Sequence, residues 1–280
     1  MLVNMTKMLQ ECKSRNKAVI AFNVYNLETI LAVFETANHL KTPVIIAFGE
    51  KDMSYAPMEV IACIVSKLSH ETETPIALHL DHAQRSISVL RAIRCGFTSI
   101  MYDGSRLDLK ANIKQTRSIV EMAQPVNISV EGELGWVKMQ DEQYNEKMRA
   151  CMTWPEHARL FVEKTGVDAL AVAIGTAHGV YKGEPKLDLE RLEEIAREVP
   201  NTPLVLHGCS GLSDELLKEC IVRGVAKINI NTEISRTALR KASEVLSAPI
   251  DETMRFEHVL LDCRIEMARI IKHYLNLCSL

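Results

Sequence analysis

Three of the chain's nine histidines stand where an apolar run gives way to a loop. His82 ends the stretch His79-Leu80-Asp81-His82, His178 lies in Gly175-Thr176-Ala177-His178-Gly179, and His207 opens His207-Gly208-Cys209-Ser210-Gly211. Neutral imidazole is a good zinc ligand, and three protein ligands leave open the fourth position that a catalytic zinc requires. One histidine in such a place is usually a satisfied structural residue. Three in equivalent places, two of them followed by glycine, predict a metal site. Asp81 immediately precedes one of these ligands and is the natural acid–base group, its alternative role being to hold a histidine tautomer. Glu131 and Glu133, two apart, point to one side of an extended segment, where one of them could orient a ligand or contact the metal. His79 lies inside an apolar run and reads as a buried partner, while His39, His70, His157, His258 and His273 fall in helical segments or on their edges.

Convergence of these groups depends on the elements that carry them. Eight short runs rich in Val and Ile recur along the chain: Ala18–Asn23, Pro43–Phe48, Ile76–Leu80, Ser99–Asp103, Ile128–Glu133, Ala169–Gly175, Leu204–His207 and Ala226–Asn231. Continuous apolar runs suit strands buried on both faces, as in parallel sheets. Their midpoints lie about 20 to 40 residues apart, room for one crossover helix and two loops each. Leu27–Leu40 places Leu27, Leu31, Phe34 and Ala37 on one helical stripe, and Leu187–Val199 does so with Leu189, Leu192 and Ile195. Eight strand–helix units predict an α/β chain folded as a single (β/α)8 TIM barrel over residues 1–280. The rival, an open doubly wound sheet, is weakened because no GxGxxG follows the first run.

A barrel of this kind builds its active site at the C-terminal ends of the strands, so the three histidines meet on one face. The loops after the seventh and eighth strands commonly hold phosphate. Here they read Gly208-Cys209-Ser210-Gly211 and Asn229-Ile230-Asn231-Thr232, the second leading into a helix near Glu233. Backbone N–H groups and hydroxyls at both loops favour a phosphorylated substrate. The longest gap contains Trp136–Thr153, polar and without glycine, which reads either as a lid or as a surface excursion.

Composition narrows the field. With 33 Lys+Arg against 36 Asp+Glu and no block of like charge, the chain is a poor candidate for nucleic-acid or membrane-surface binding. No apolar run approaches the roughly 20 residues that cross a bilayer. The opening Met1-Leu-Val-Asn-Met-Thr-Lys lacks a basic region followed by an apolar core, and the eight cysteines contain no CxxC pair. A reduced, cytoplasmic protein is expected.

Several stretches match one family in order: Ala21-Phe-Asn23, Leu78-His-Leu-Asp-His82, Met101-Tyr-Asp-Gly-Ser105, Val130-Glu-Gly-Glu-Leu-Gly135, Gly175-Thr-Ala-His-Gly179, Leu206-His-Gly-Cys-Ser-Gly211 and Lys227-Ile-Asn-Ile-Asn-Thr232. On these the chain resembles the class II, zinc-dependent ketose-bisphosphate aldolases of the fructose/tagatose-bisphosphate type. The resemblance implies reversible cleavage of a ketose 1-phosphate or 1,6-bisphosphate into dihydroxyacetone phosphate and an aldehyde. It implies one zinc per chain on His82, His178 and His207, with Asp81 exchanging the proton of the aldehyde-side oxygen. It also implies that Gly179, Gly208, Ser210, Asn229 and Thr232 hold the dihydroxyacetone phosphate half, with Na⁺ or K⁺ beside it, in a homodimer or homotetramer. The family usually has Gly-Gly and acidic residues after the fifth strand, where a glutamate moves the C–H proton. Here the stretch is Trp136-Val-Lys-Met-Gln-Asp-Glu142, leaving Asp141 or Glu142 for that position. Cys209 replaces the usual second glycine, as a spectator or as a side chain that narrows the phosphate pocket. For a second phosphate only Arg255 and Arg264 stand out in the C-terminal segment, so a substrate with one phosphate stays open. Two other readings are a Schiff-base aldolase using Lys227 and a non-catalytic barrel subunit of an aldolase complex.

Overall fold

Among the described residues ten strands and ten α-helices follow one another, and each apolar run supplies a parallel strand. The strands are β1 (Val19–Asn23), β2 (Val44–Gly49), β3 (Ile76–Ala83), β4 (Ser99–Tyr102), β5 (Ser129–Leu134), β6 (Lys138–Met139), β7 (Ala169–Val172), β8 (Ala177–His178), β9 (Leu204–Leu206) and β10 (Val225–Ile230). The helices are α1 (Met5–Ser14), α2 (Leu27–Leu40), α3 (Met58–Ser69), α4 (Ser86–Cys95), α5 (Leu109–Ala123), α6 (Pro155–Thr165), α7 (Leu189–Glu198), α8 (Asp214–Val222), α9 (Thr232–Leu246) and α10 (Phe256–Cys278). The computed structural model describes residues 1–136, 138–139, 151–181, 183–247 and 254–278. Eight strands close a parallel barrel in the order β1-β10-β9-β7-β5-β4-β3-β2, which excludes the open sheet. The other two, β6 and β8, form a two-residue parallel pair above it. No helix among the described residues is long and apolar enough to cross a membrane.

Although the strands read as continuous apolar runs, their side chains alternate between two cores, as the pleat requires. Ile20, Phe22, Ile46, Phe48, Leu78, Leu80, Ile100 and Val130 join the layer between sheet and helices. Val19, Ala21, Ile45, Ala47, Ala77, Met101, Ala169, Ala171, Val205 and Ala226 fill the barrel interior. Along each strand the inward positions then turn polar: Asn23 follows Ala21, His79 and Asp81 follow Ala77, Glu131 and Glu133 follow Ser129, and His207 follows Val205. All of these are buried. One end of the barrel is thus apolar and the other is a buried polar floor.

The apolar end is closed by α1, which the apolar runs did not predict. Asn4 caps it by accepting from the Thr6 N–H, and Met5, Met8, Leu9 and Cys12 pack into the interior core. The α2 stripe is offset from the predicted one. Leu27 is 47% exposed, whereas Ile30, Val33, Phe34 and Ala37 are buried. An Asn26–Thr29 capping box sets where α2 begins, and α10 packs against its flank, so the helix is apolar over more than one stripe. In α7 the predicted Leu192 and Ile195 are buried and Leu189 packs at their edge.

Leu9 is fully buried at the end of the barrel opposite the polar floor. Leu9→Ala is expected to lower the stability of the chain by about 2–5 kcal/mol in urea unfolding, with the kcat of the folded protein unchanged.

Candidate active site

Asp81 is held in the floor of the barrel mouth by two amides. Asn23 Nδ2 donates to Oδ2 at 2.8 Å and Asn229 Nδ2 to Oδ1 at 3.2 Å. Burial alone would raise its carboxyl, but the cations around it, His82 and Lys227 among them, hold it well below the usual range. In a regular strand Asp81 and His82 would face opposite sides of the sheet. Here His82 takes a left-handed backbone, φ 49°, at a register shift between β3 and β4, so neighbouring residues both reach the mouth. Its Nδ1 bonds to Asp103 Oδ2 at 3.0 Å and lies 3.4 Å from Glu133 Oε2. Burial opposes the charge on His82, yet Asp81, Asp103 and Glu133 together raise its pKa well above the ordinary value.

His207 is oriented from below. Its Nε2 donates to Glu131 Oε1 at 2.9 Å, and the other carboxylate oxygen accepts from Lys227 Nζ at 2.7 Å. Burial pushes the Glu131 carboxyl up, but Lys227 and the His207 hydrogen bond outweigh it and bring it to about 2. His207 Nδ1 is buried and has no hydrogen-bond partner among the described residues.

His178 enters on β8, beside Gly179 at φ 107°. Burial and the nearby His82 and His207 lower its pKa to about 3, so it stays neutral. The two loops carrying His178 and His207 are interlocked: Tyr181 Oη donates to Gly208 O and accepts from Ala177 N. Gly208 adopts φ 69°, and a Cβ there would stand 2.7 Å from Ala177 O. Cys209 plays no part in the pocket. It is buried in the outer core, its Sγ 3.2 Å from Leu206 O, and burial raises the thiol well above its ordinary pKa.

These groups open into a cleft of about 570 Å³. Gly179, Gly208, Ser210, Asn229, Asn231 and Thr232 line one side. There the Asn231 N–H donates to Ser210 Oγ, and α9 begins at Thr232 without a side-chain cap, leaving its first N–H groups directed at the cleft end. Barrel order sets these loops, after β7, β9 and β10, across from those after β2, β3 and β4, which contribute Lys51, Arg85 and Arg106. Neither Arg255 nor Arg264 lines the cleft: Arg255 pairs with Glu257 and Arg264 lies 3.7 Å from Glu35. Asp141 and Glu142 lie outside the described residues. The sequence signal for Asn23 and Asp103 is position alone, at the C-terminal ends of β1 and β4.

The donor set fits a metal ion. Three imidazoles sharing one metal at about 2.0–2.1 Å place their ring centroids roughly 5 Å apart. The rings here are separated by 5.3 Å (His82–His178), 4.6 Å (His82–His207) and 6.2 Å (His178–His207). Among the described residues two donor groups have ligand atoms within 4.8 Å of one another, Asp81 with His82 and His207, and His82 with Asp103 and Glu133. His178 belongs to neither and is the outermost ring. The unpartnered Nδ1 of His207 supplies a bare lone pair, and the surrounding carboxylates favour a cation.

The sequence profile described as Fructose-bisphosphate aldolase class-II matches residues 3–280. The chain belongs to this family. As a class II aldolase it is a carbon–carbon lyase. It is 31% identical to the YdjI aldolase from Escherichia coli K12, with 99% of this chain and 97% of that chain covered and a TM-score of 0.87. A protein of Coccidioides immitis described as a candidate fructose-1,6-biphosphate aldolase is 29% identical over 97% of this chain and 94% of that one, with a TM-score of 0.85. The fructose-bisphosphate aldolase of Campylobacter jejuni, 22% identical over 99% and 95% of the two chains, shares the fold of this aldolase with a TM-score of 0.80.

Because a Cβ at position 208 would press on Ala177 O and hold a strained φ, Gly208→Ala is expected to move the two loops apart. Steady-state kinetics of aldol cleavage should show KM rising by about tenfold or more, with circular dichroism unchanged.

Proposed function

We propose that this aldolase is zinc-dependent and cleaves a ketose 1-phosphate or 1,6-bisphosphate into dihydroxyacetone phosphate and an aldehyde. The observation that carries the reading is the buried, unpartnered Nδ1 of His207, locked on its other nitrogen by Glu131 and clustered with the rings of His82 and His178. Those three histidines would hold the metal. When bound, zinc supplies a Lewis acid at the ketone oxygen that stabilises the charge left by carbon–carbon cleavage, a contribution of several kcal/mol.

The side chains then have distinct tasks. Asp81, kept ionised and aimed by Asn23 and Asn229, accepts the proton of the hydroxyl on the carbon that becomes the aldehyde. As that O–H bond breaks, the carbon–oxygen double bond forms and the carbon–carbon pair passes to the ketose half. In the condensation direction Asp81 returns the same proton to the aldehyde oxygen. The N–H groups of Gly179 and Gly208, the Ser210 hydroxyl, Asn229 and Thr232 at the start of α9 would hold the phosphate without a formal charge of their own. A Na⁺ or K⁺ beside the phosphate belongs to the same reading. So does a cytoplasmic homodimer or homotetramer, a compartment supported by eight free thiols.

Lys227 does not favour the Schiff-base reading. Its amine is fully buried, bonds to Glu131 and is not among the residues lining the cleft.

Exhaustive chelation is expected to abolish release of dihydroxyacetone phosphate from a panel of ketose mono- and bisphosphates, and added Zn²⁺ to restore it. Unchanged turnover after chelation would overturn the zinc reading, and a zinc-loaded protein that cleaves none of the panel would overturn the substrate reading. His178→Ala should lose both bound zinc and turnover.

A further inference from the structure

The cleavage mechanism does not use one fully buried charged side chain of the barrel, a lysine. Lys227 is 0% exposed, and a register shift between Val225 and Lys227 accompanies its entry into the polar floor on β10. Its Nζ donates to Glu131 Oε2 at 2.7 Å and lies 3.5 Å from His79 Nε2. His79 Nδ1 is in turn 2.7 Å from Ser99 Oγ. An ammonium can only donate, so His79 Nε2 carries a lone pair and its proton sits on Nδ1, directed at Ser99. Glu131 can only accept, so the proton of neutral His207 sits on Nε2 and its lone pair on Nδ1. One assignment of protons satisfies every bond in this chain of five side chains. It leaves bare the one nitrogen of His207 that has no protein partner.

We propose that Lys227 is a positioning residue: by occupying Oε2 of Glu131 it turns Oε1 to His207 and fixes the imidazole tautomer that presents Nδ1 to a divalent metal. The inference rests on the zinc reading above. It assigns to the lysine a task unrelated to amine chemistry. Its charge compensates a carboxylate that has no access to water, and its three donors point where the carboxylate and His79 need them. The relay also reaches the acid–base group, since His79 Nε2 lies 3.9 Å from Asp81 Oδ1.

The test compares wild type, Lys227→Met and the double variant Lys227→Met/Glu131→Gln, all full-length and metal-free. Two readouts are used: the ¹⁵N resonances of the His207 ring and zinc affinity from competition with a chromophoric chelator. Wild type should show one tautomer, protonated on Nε2 and bare on Nδ1. In Lys227→Met the uncompensated Glu131 takes up a proton and can then donate as well as accept, so the single tautomer should be lost and zinc should bind about 10–100-fold more weakly. This variant leaves a buried carboxylate without its cation and is the one most at risk of not folding. The double variant removes both charges, and without Lys227 nothing selects whether its amide offers oxygen or NH₂ to Nε2, so it should show the same two losses while folded. The proposal is overturned if wild-type His207 carries its proton on Nδ1. It is equally overturned if a folded variant keeps the wild-type tautomer and zinc affinity within twofold. Wild type that binds no zinc would overturn the zinc reading alone, because the tautomer comparison needs no metal.

Discussion

A carboxylate sealed inside a parallel barrel needs a cation and hydrogen-bond donors of its own, and Glu131 has both. Lys227 compensates its charge on one oxygen and His207 donates to the other. Removing Lys227 or Glu131 alone would leave an unpaired buried charge, which costs about 3–5 kcal/mol. The polar floor therefore forms as a unit across β3, β5, β9 and β10. Barrel closure makes this possible, because it brings inward positions of strands far apart in sequence to within hydrogen-bond reach. Each strand spends its first inward residues on the apolar interior plugged by α1 and its last on the site.

Much of the architecture was legible in the chain. Eight buried strands with helical gaps admit few closed arrangements, and the observed strand bounds differ from the apolar runs by a few residues. The residues at their ends could then be read as one face. What escaped was local or long-range in origin. Helix α1 carries a regular stripe of Met5, Met8, Leu9 and Cys12, but it precedes the first strand–helix unit, and its burial depends on a barrel end that no local pattern describes. The buried face of α2 is set by a cap and by α10, more than 200 residues away along the chain.

The site divides in the same way. Residue type and strand-end position pointed to His82, His178, His207 and Asp81, and alternation pointed to Glu131 and Glu133. Alternation also argues that Asp81 and His82 cannot share a face, and only the left-handed backbone at His82 resolves the conflict. Lys227 could be read as a nucleophile because a buried lysine is chemically ambiguous; its partner decides the matter, and pairing across the barrel is invisible in one dimension. Cys209 illustrates the converse, a change beside a ligand loop that points into the outer core.

The central claim is that the floor of the barrel presents His207 Nδ1, together with His82 and His178, to one divalent ion. A crystal structure of the zinc-loaded protein with anomalous data tests it most directly. The account predicts a single zinc peak among the three imidazoles, bonded to His207 through Nδ1 while Nε2 still donates to Glu131. Zinc bound through Nε2 of His207, or a peak elsewhere with the three imidazoles unligated, would contradict it.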